Sequence, residues 1–118
     1  MRDKWLEIDD YLIAHGLRVG EATSGQITGG HHAAHHGHLS NHYFGTARDY
    51  GVHDSDAHGI ARRLEFIATQ QNGPISELYF APLDIWYKDG RRVEDGARVI
   101  GGHLDHCHVA LHPSRRLF

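Results

Sequence analysis

Residues 75 to 93 read Ile75-Ser-Glu-Leu-Tyr-Phe-Ala-Pro-Leu-Asp-Ile-Trp-Tyr-Lys-Asp-Gly-Arg-Arg-Val93. Ile75 to Phe80 and Ile85 to Lys88 are rich in β-branched and aromatic side chains, which suit a pleated, half-buried surface, so both are expected as strands. Asp89-Gly90 is a two-residue hairpin signal, returning the chain into a strand over Arg91 to Val93. Upstream, Ala57, Ile60, Ala61, Leu64, Ile67 and Ala68 recur at intervals of three and four, which predicts a helix over Asp56 to Gln71. Ser55 is its expected N-cap, Asn72-Gly73-Pro74 ends it, and Arg62, Arg63 and Glu65 form its solvated face. Downstream, Glu94 to Gly102 reads as loop and His106 to Leu111 as a final strand, followed by Pro113 and a basic tail, Arg115-Arg116.

The N-terminal half adds a helix over Asp3 to His15. Asp3 is placed to cap it, Trp5, Ile8 and Leu12 share one face, and Gly16 stops it. Leu17 to Thr23 is a candidate strand, Ser24 to Leu39 is loop by its Gly, Ser and His content, and Thr46 to Val52 is a short strand carrying Asp49. The pattern predicts an α+β fold, with one small, mostly antiparallel sheet and flanking helices.

A chain of 118 residues suits a single domain, here residues 1 to 118. The formal charge of -3 shows no basic face, which argues against nucleic acid as the main partner. No apolar stretch approaches membrane-spanning length, and the start, Met1-Arg2-Asp3-Lys4-Trp5, lacks a hydrophobic signal segment. With one cysteine there is no internal disulfide. A monomer is expected.

The unusual count is 13 histidines. His31, His32, His35, His36 and His38 lie among glycines and alanines that give no fixed geometry, so this run reads as an exposed polar or metal-sticky loop. A chain of this kind has an alternative reading as a histidine-rich metal-binding or storage protein without catalytic activity. His42 differs, because it sits in a patterned segment with Gly45 and Asp49. Near the other end come Asp105-His106-Cys107-His108. Three N/O ligands plus a free carboxylate are what a hydrolytic zinc site needs, since a catalytic metal keeps one position open for water. Spacing alone leaves open which imidazoles bind. In a strand, His106 and His108 share one face, and Cys107, on the other, is a small buried core residue. Asp105, at the strand entrance, is either the proton acceptor or a carboxylate that orients a ligand histidine.

Ser40-x-His42-x-x-Gly45-x-Ala47-x-Asp49, followed by Asp105-x-x-His108, resembles the zinc D-Ala-D-Ala carboxypeptidase family of peptidoglycan peptidases. That family includes bacterial carboxypeptidases, dipeptidases linked to vancomycin resistance and phage endolysins. Ile75 to Tyr87 is similar to the segment before the last motif in actinobacterial and phage members. The resemblance implies the hedgehog-like fold of these enzymes and one zinc ion held by His42, Asp49 and His108. It implies Asp105 as general base and His106 as a contact to substrate or oxyanion. Ser40 supports the loop presenting His42 and, with Trp86 and Tyr87, is assigned to the substrate side, core packing being the favoured role for at least one of the two aromatics. Gly45 permits a tight turn and Ala47 close packing near the metal. The implied partner is a peptidoglycan stem peptide, reached by a protein made in the cytoplasm and released in phage fashion or carried on a virion. Members carry an arginine after a Thr-Ser-Gly strand that grips a substrate carboxylate. Here Gln26 follows Thr23-Ser24-Gly25 and the next arginine is Arg48, which favours an endopeptidase over a carboxypeptidase.

Overall fold

The computed structural model describes residues 4–20 and 45–117. Their elements are α1 (Trp5–Ala14), β1 (Ala47–Gly51), α2 (Ala57–Ala68), β2 (Ile75–Phe80), a 3₁₀ turn (Ala81–Leu83), β3 (Ile85–Lys88), β4 (Arg91–Arg92), α3 (Gly96–Val99) and β5 (His106–Leu111). The strands form one five-stranded sheet in the order β1-β5-β2-β3-β4, with every neighbouring pair antiparallel. The domain is α+β, as the sequence pattern requires.

Period-2 alternation divides the sheet into two faces. Tyr50, Leu78, Phe80, Ile85, Cys107, Val109 and Leu111 point to the helices, where they pack with Trp5, Ile8 and Leu12 of α1 and Ile60, Ala61 and Leu64 of α2. Burying each large aliphatic side chain in this layer contributes about 1.5–3 kcal/mol. Asp49, Glu77, Tyr79, Trp86, His106 and His108 belong to the other face, as the strand register shows.

Several local expectations are refined. Helix α1 begins at Trp5 with no side-chain cap on Lys4, and Asp3 lies outside the described residues. Its end is as expected: Gly16 has φ +79° and the Leu17 and Gly16 amides donate to Leu12 and Ile13 carbonyls, each at 3.0 Å, a Schellman ending. Leu17 to Gly20 is not a strand, because Arg18 spends its backbone groups on Asp56, donating to the carboxylate at 2.7 Å and accepting from the amide at 2.8 Å. The remainder of that predicted strand and the loop Ser24 to Leu39 lie outside the described residues. Ser55 does not cap α2; its hydroxyl turns back to the Gly51 carbonyl at 2.7 Å, and Asp56 takes the cap position. The helix closes at Ala68, three residues before Gln71, as Thr69 bonds back to the Phe66 carbonyl. Asp89 and Gly90 both take positive φ, +52° and +83°, as the tight hairpin demands. Strand β4 stops at Arg92, and the expected loop after it contains α3. That turn exists because Gly96 lies on the Trp86 ring, where a β-carbon would fall 2.2 Å from Cγ.

Candidate active site

Strand β1 pairs with β5 so that Asp49 stands opposite His108 and Gly51 opposite His106. Asp49 Oδ1 and His108 Nδ1 are 3.0 Å apart, although the residues are 59 positions apart in sequence. From the other side, Nε2 of His108 lies 2.9 Å from Glu77 Oε1, on β2. A carboxylate thus flanks each ring nitrogen, an arrangement that favours the protonated ring. Burial would push the His108 pKa down; the bonds to Asp49 and Glu77 outweigh it and raise the value to about 9.

Beyond His108 the sheet ends in an open cleft of about 440 Å3, lined by Asp49, Gly51, Val52, His53, Asp54, Asp105 and His106. Asp105 is a rim carboxylate, 84% exposed, that accepts from His106 Nδ1 at 2.7 Å. This bond to His106 and the imidazole's charge hold Asp105 below the usual carboxylate range. Its main chain is fixed by the Val52 amide, which donates to the Asp105 carbonyl at 3.0 Å.

Next to His106 and His108 stands a cluster of aromatic rings. Tyr79 stacks on the His108 imidazole, with centroids 5.3 Å apart and planes 17° apart. His103 packs edge-on against Tyr79 at 5.2 Å and lies 5.0 Å from His106 and 5.6 Å from His108. Its Nδ1 is 2.8 Å from the Gly101 carbonyl, which fixes the hydrogen there and makes Nε2 an acceptor. Burial lowers its pKa to about 4, keeping the ring neutral. Gly101, Gly102 and His103 all have positive φ, so this left-handed run swings the imidazole over the sheet.

The sequence-derived residues therefore separate. Asp49 and His108 meet, and Asp105 and His106 stand beside them on the same cleft. His42 and Ser40 lie outside the described residues, as do His31 to His38. Among the described residues no group of three or more His, Cys, Asp or Glu is placed to hold a metal ion; Asp49 and His108 are two of the three expected ligands. Cys107 is fully buried on the helical face, and burial together with the Asp49 charge pushes its thiol pKa up.

The assignment of Tyr87 to the cleft is corrected. Tyr87 projects to the helical face, where its hydroxyl donates to Glu65 of α2 at 3.2 Å. Trp86 is on the cleft side but fully buried, its indole N–H donating to Asp84 at 2.8 Å, so it supports the aromatic cluster rather than meeting a ligand. Arg48 is no substrate clamp either. It is fully buried on the helical face, paired with Asp9 at 3.1 Å, donating to the Asp49 carbonyl at 2.8 Å and lying over the Trp5 and Tyr50 rings.

Glu77, Tyr79, His103, His53 and Asp54 are the site residues that sequence reasoning missed. Only His103 had a local signal, the Gly101-Gly102-His103 run three residues before His106. Comparison with family models, with curated proteins and with solved structures finds no match for this chain.

Proposed function

We propose that this protein is a zinc peptidase that hydrolyses peptide bonds in peptidoglycan stem peptides or cross-bridges, built on the hedgehog-like fold of the D-Ala-D-Ala metallopeptidases. The observation that carries the reading is the Asp49–His108 pair across β1 and β5, with Asp105 and His106 opening onto the same cleft.

The donor set fits the metal. Carboxylate and imidazole are zinc ligands, and Asp49 and His108 bring one of each within 3.0 Å, so these residues would hold it. For Asp49 and His108 to hold a divalent ion together, the hydrogen on Nδ1 would have to leave. His42 is the third proposed ligand. A zinc ion held by these residues supplies positive charge to polarise a scissile carbonyl and to acidify water.

The remaining steps belong to side chains. Asp105, ionised and exposed at the rim, takes a proton from the attacking water and returns it to the leaving amine. His106, oriented by Asp105, hydrogen-bonds the carbonyl oxygen as negative charge develops on it. His103 presents Nε2 as an acceptor for a substrate N–H, in front of Tyr79. Among the described residues, the seven that line the cleft include three carboxylates and neither lysine nor arginine. Such a lining repels a free C-terminal carboxylate and favours an internal bond, so the endopeptidase reading is preferred.

The test is a set of single variants on zinc-loaded protein. Asp105→Ala should keep one zinc and release no peptide from purified cell wall, whereas Asp49→Asn and His108→Ala should lose the metal. Full activity in Asp105→Ala overturns the assignment.

A further inference from the structure

Glu77 has no part in the chemistry above, and no motif points to it. We propose that Glu77, braced by the Tyr79 hydroxyl, is the positioning residue for His108: it fixes the ring plane and leaves Nδ1 as the nitrogen that faces the metal. The inference rests on the zinc reading.

The argument begins in the backbone. Ile75 pairs with Leu111, but Glu77 pairs with Ala110, so the register between β2 and β5 shifts by one residue around Ser76. Without this bulge Glu77 would share the face of Ile75 and point at the helices. The extra residue turns it to the cleft face, a common use of bulges beside functional sites. There its carboxylate reaches Nε2 of His108 at 2.9 Å, with the two side chains only 20% and 9% exposed. With Nε2 taken by Glu77, only Nδ1, on the Asp49 side, is left to face a metal.

Tyr79 completes the brace. Its hydroxyl is hydrogen-bonded to Glu77, and its ring lies nearly parallel to the His108 ring, at 17°. One partner thus fixes the edge of the imidazole and the other its plane. A carboxylate on the far nitrogen also makes the ligand nitrogen more basic, strengthening its bond to a metal.

The experiment measures zinc affinity by chelator competition in Glu77→Gln, Tyr79→Phe, Asp49→Asn and His108→Ala, each first shown folded by circular dichroism. Nitrogen NMR of the zinc-loaded protein reports which His108 nitrogen keeps its hydrogen. The expected results are a loss of about 10–100-fold in affinity for Glu77→Gln, a smaller loss for Tyr79→Phe, and an Nε2–H signal. Wild-type affinity in folded Glu77→Gln, while Asp49→Asn and His108→Ala lose zinc, overturns the role of Glu77 and leaves the metal reading standing. Wild-type affinity in Asp49→Asn and His108→Ala overturns both. If Glu77→Gln does not fold, Tyr79→Phe decides: reduced affinity with an Nε2–H signal supports the brace, and unchanged affinity overturns it.

Discussion

The two faces of the sheet are made by the same strands and differ in almost every physical respect. The helical face is dry and apolar, and its polar exceptions, Arg48, Asp9 and Tyr50, satisfy one another: Arg48 bonds Asp9 at 3.1 Å and the Tyr50 hydroxyl donates to the same oxygen at 2.6 Å. The other face gathers the polar side chains of Asp49, Glu77, His106 and His108, with both His108 ring nitrogens held by carboxylates. Neighbouring residues on one strand thus serve different ends: Arg48 and Cys107 are buried in the core, while Asp49 and His108 belong to the proposed metal site. The comparison predicts that substitutions should sort by face, with stability lost on one side and activity on the other.

The sharpest break should come at the rim. Asp105→Ala should lower hydrolysis by about 10²–10⁴-fold, the usual contribution of a positioned acid-base group. Because the side chain is 84% exposed, its stability cost should stay within about 0.5 kcal/mol. Peptide-release rates and urea melts on one preparation check both halves. On the helical face the pattern should reverse. Arg48→Met leaves Asp9 buried without its cation and should cost about 3–5 kcal/mol in denaturant unfolding. Leu78→Ala should cost about 2–5 kcal/mol, with unchanged zinc affinity per folded molecule.

Gly96→Ala sharpens the comparison where the faces are least distinct. Its β-carbon would fall 2.2 Å from Trp86 Cγ, so the ring beside Tyr79 and His103 must shift. The expected cost is about 1–3 kcal/mol, accompanied by a raised KM. Glu7 should show the smallest effect. Burial pushes its pKa up, but Lys4 and the Leu117 amide outweigh it and hold the carboxyl below 4.5. A depressed carboxyl stabilises the fold above its unfolded value and loses that contribution as pH falls through the folded one. Melting temperature should therefore drop slightly below pH 4.5, and Glu7→Gln should flatten that segment of the curve.

What was legible in the sequence follows from range. The strands Ile75–Phe80 and His106–Leu111, helix α2 and the Asp89-Gly90 hairpin were readable because periodicity and turn chemistry act over a few residues. The opposition of His106 and His108 to Cys107 was readable for the same reason. Alternation also separates Trp86 from Tyr87, but it cannot say which face the helices cover, so only the structure shows that Tyr87 is the one on the helical side. Arg48–Asp9 and His108–Glu77 join residues 39 and 31 positions apart. They depend on tertiary register, and Glu77 depends further on a bulge that reverses its parity. The Gly96 contact was hidden likewise, since nothing local distinguishes a loop from a turn folded onto an indole.

The most direct test of the central claim is mass spectrometry of purified peptidoglycan after incubation with the zinc-loaded protein, beside zinc-stripped protein and Asp105→Ala. The account predicts fragments with newly exposed amino termini at one peptide bond, formed only by the zinc-loaded wild-type protein. An unchanged fragment pattern with the loaded protein, or the same fragments formed at the wild-type rate by Asp105→Ala, would contradict it.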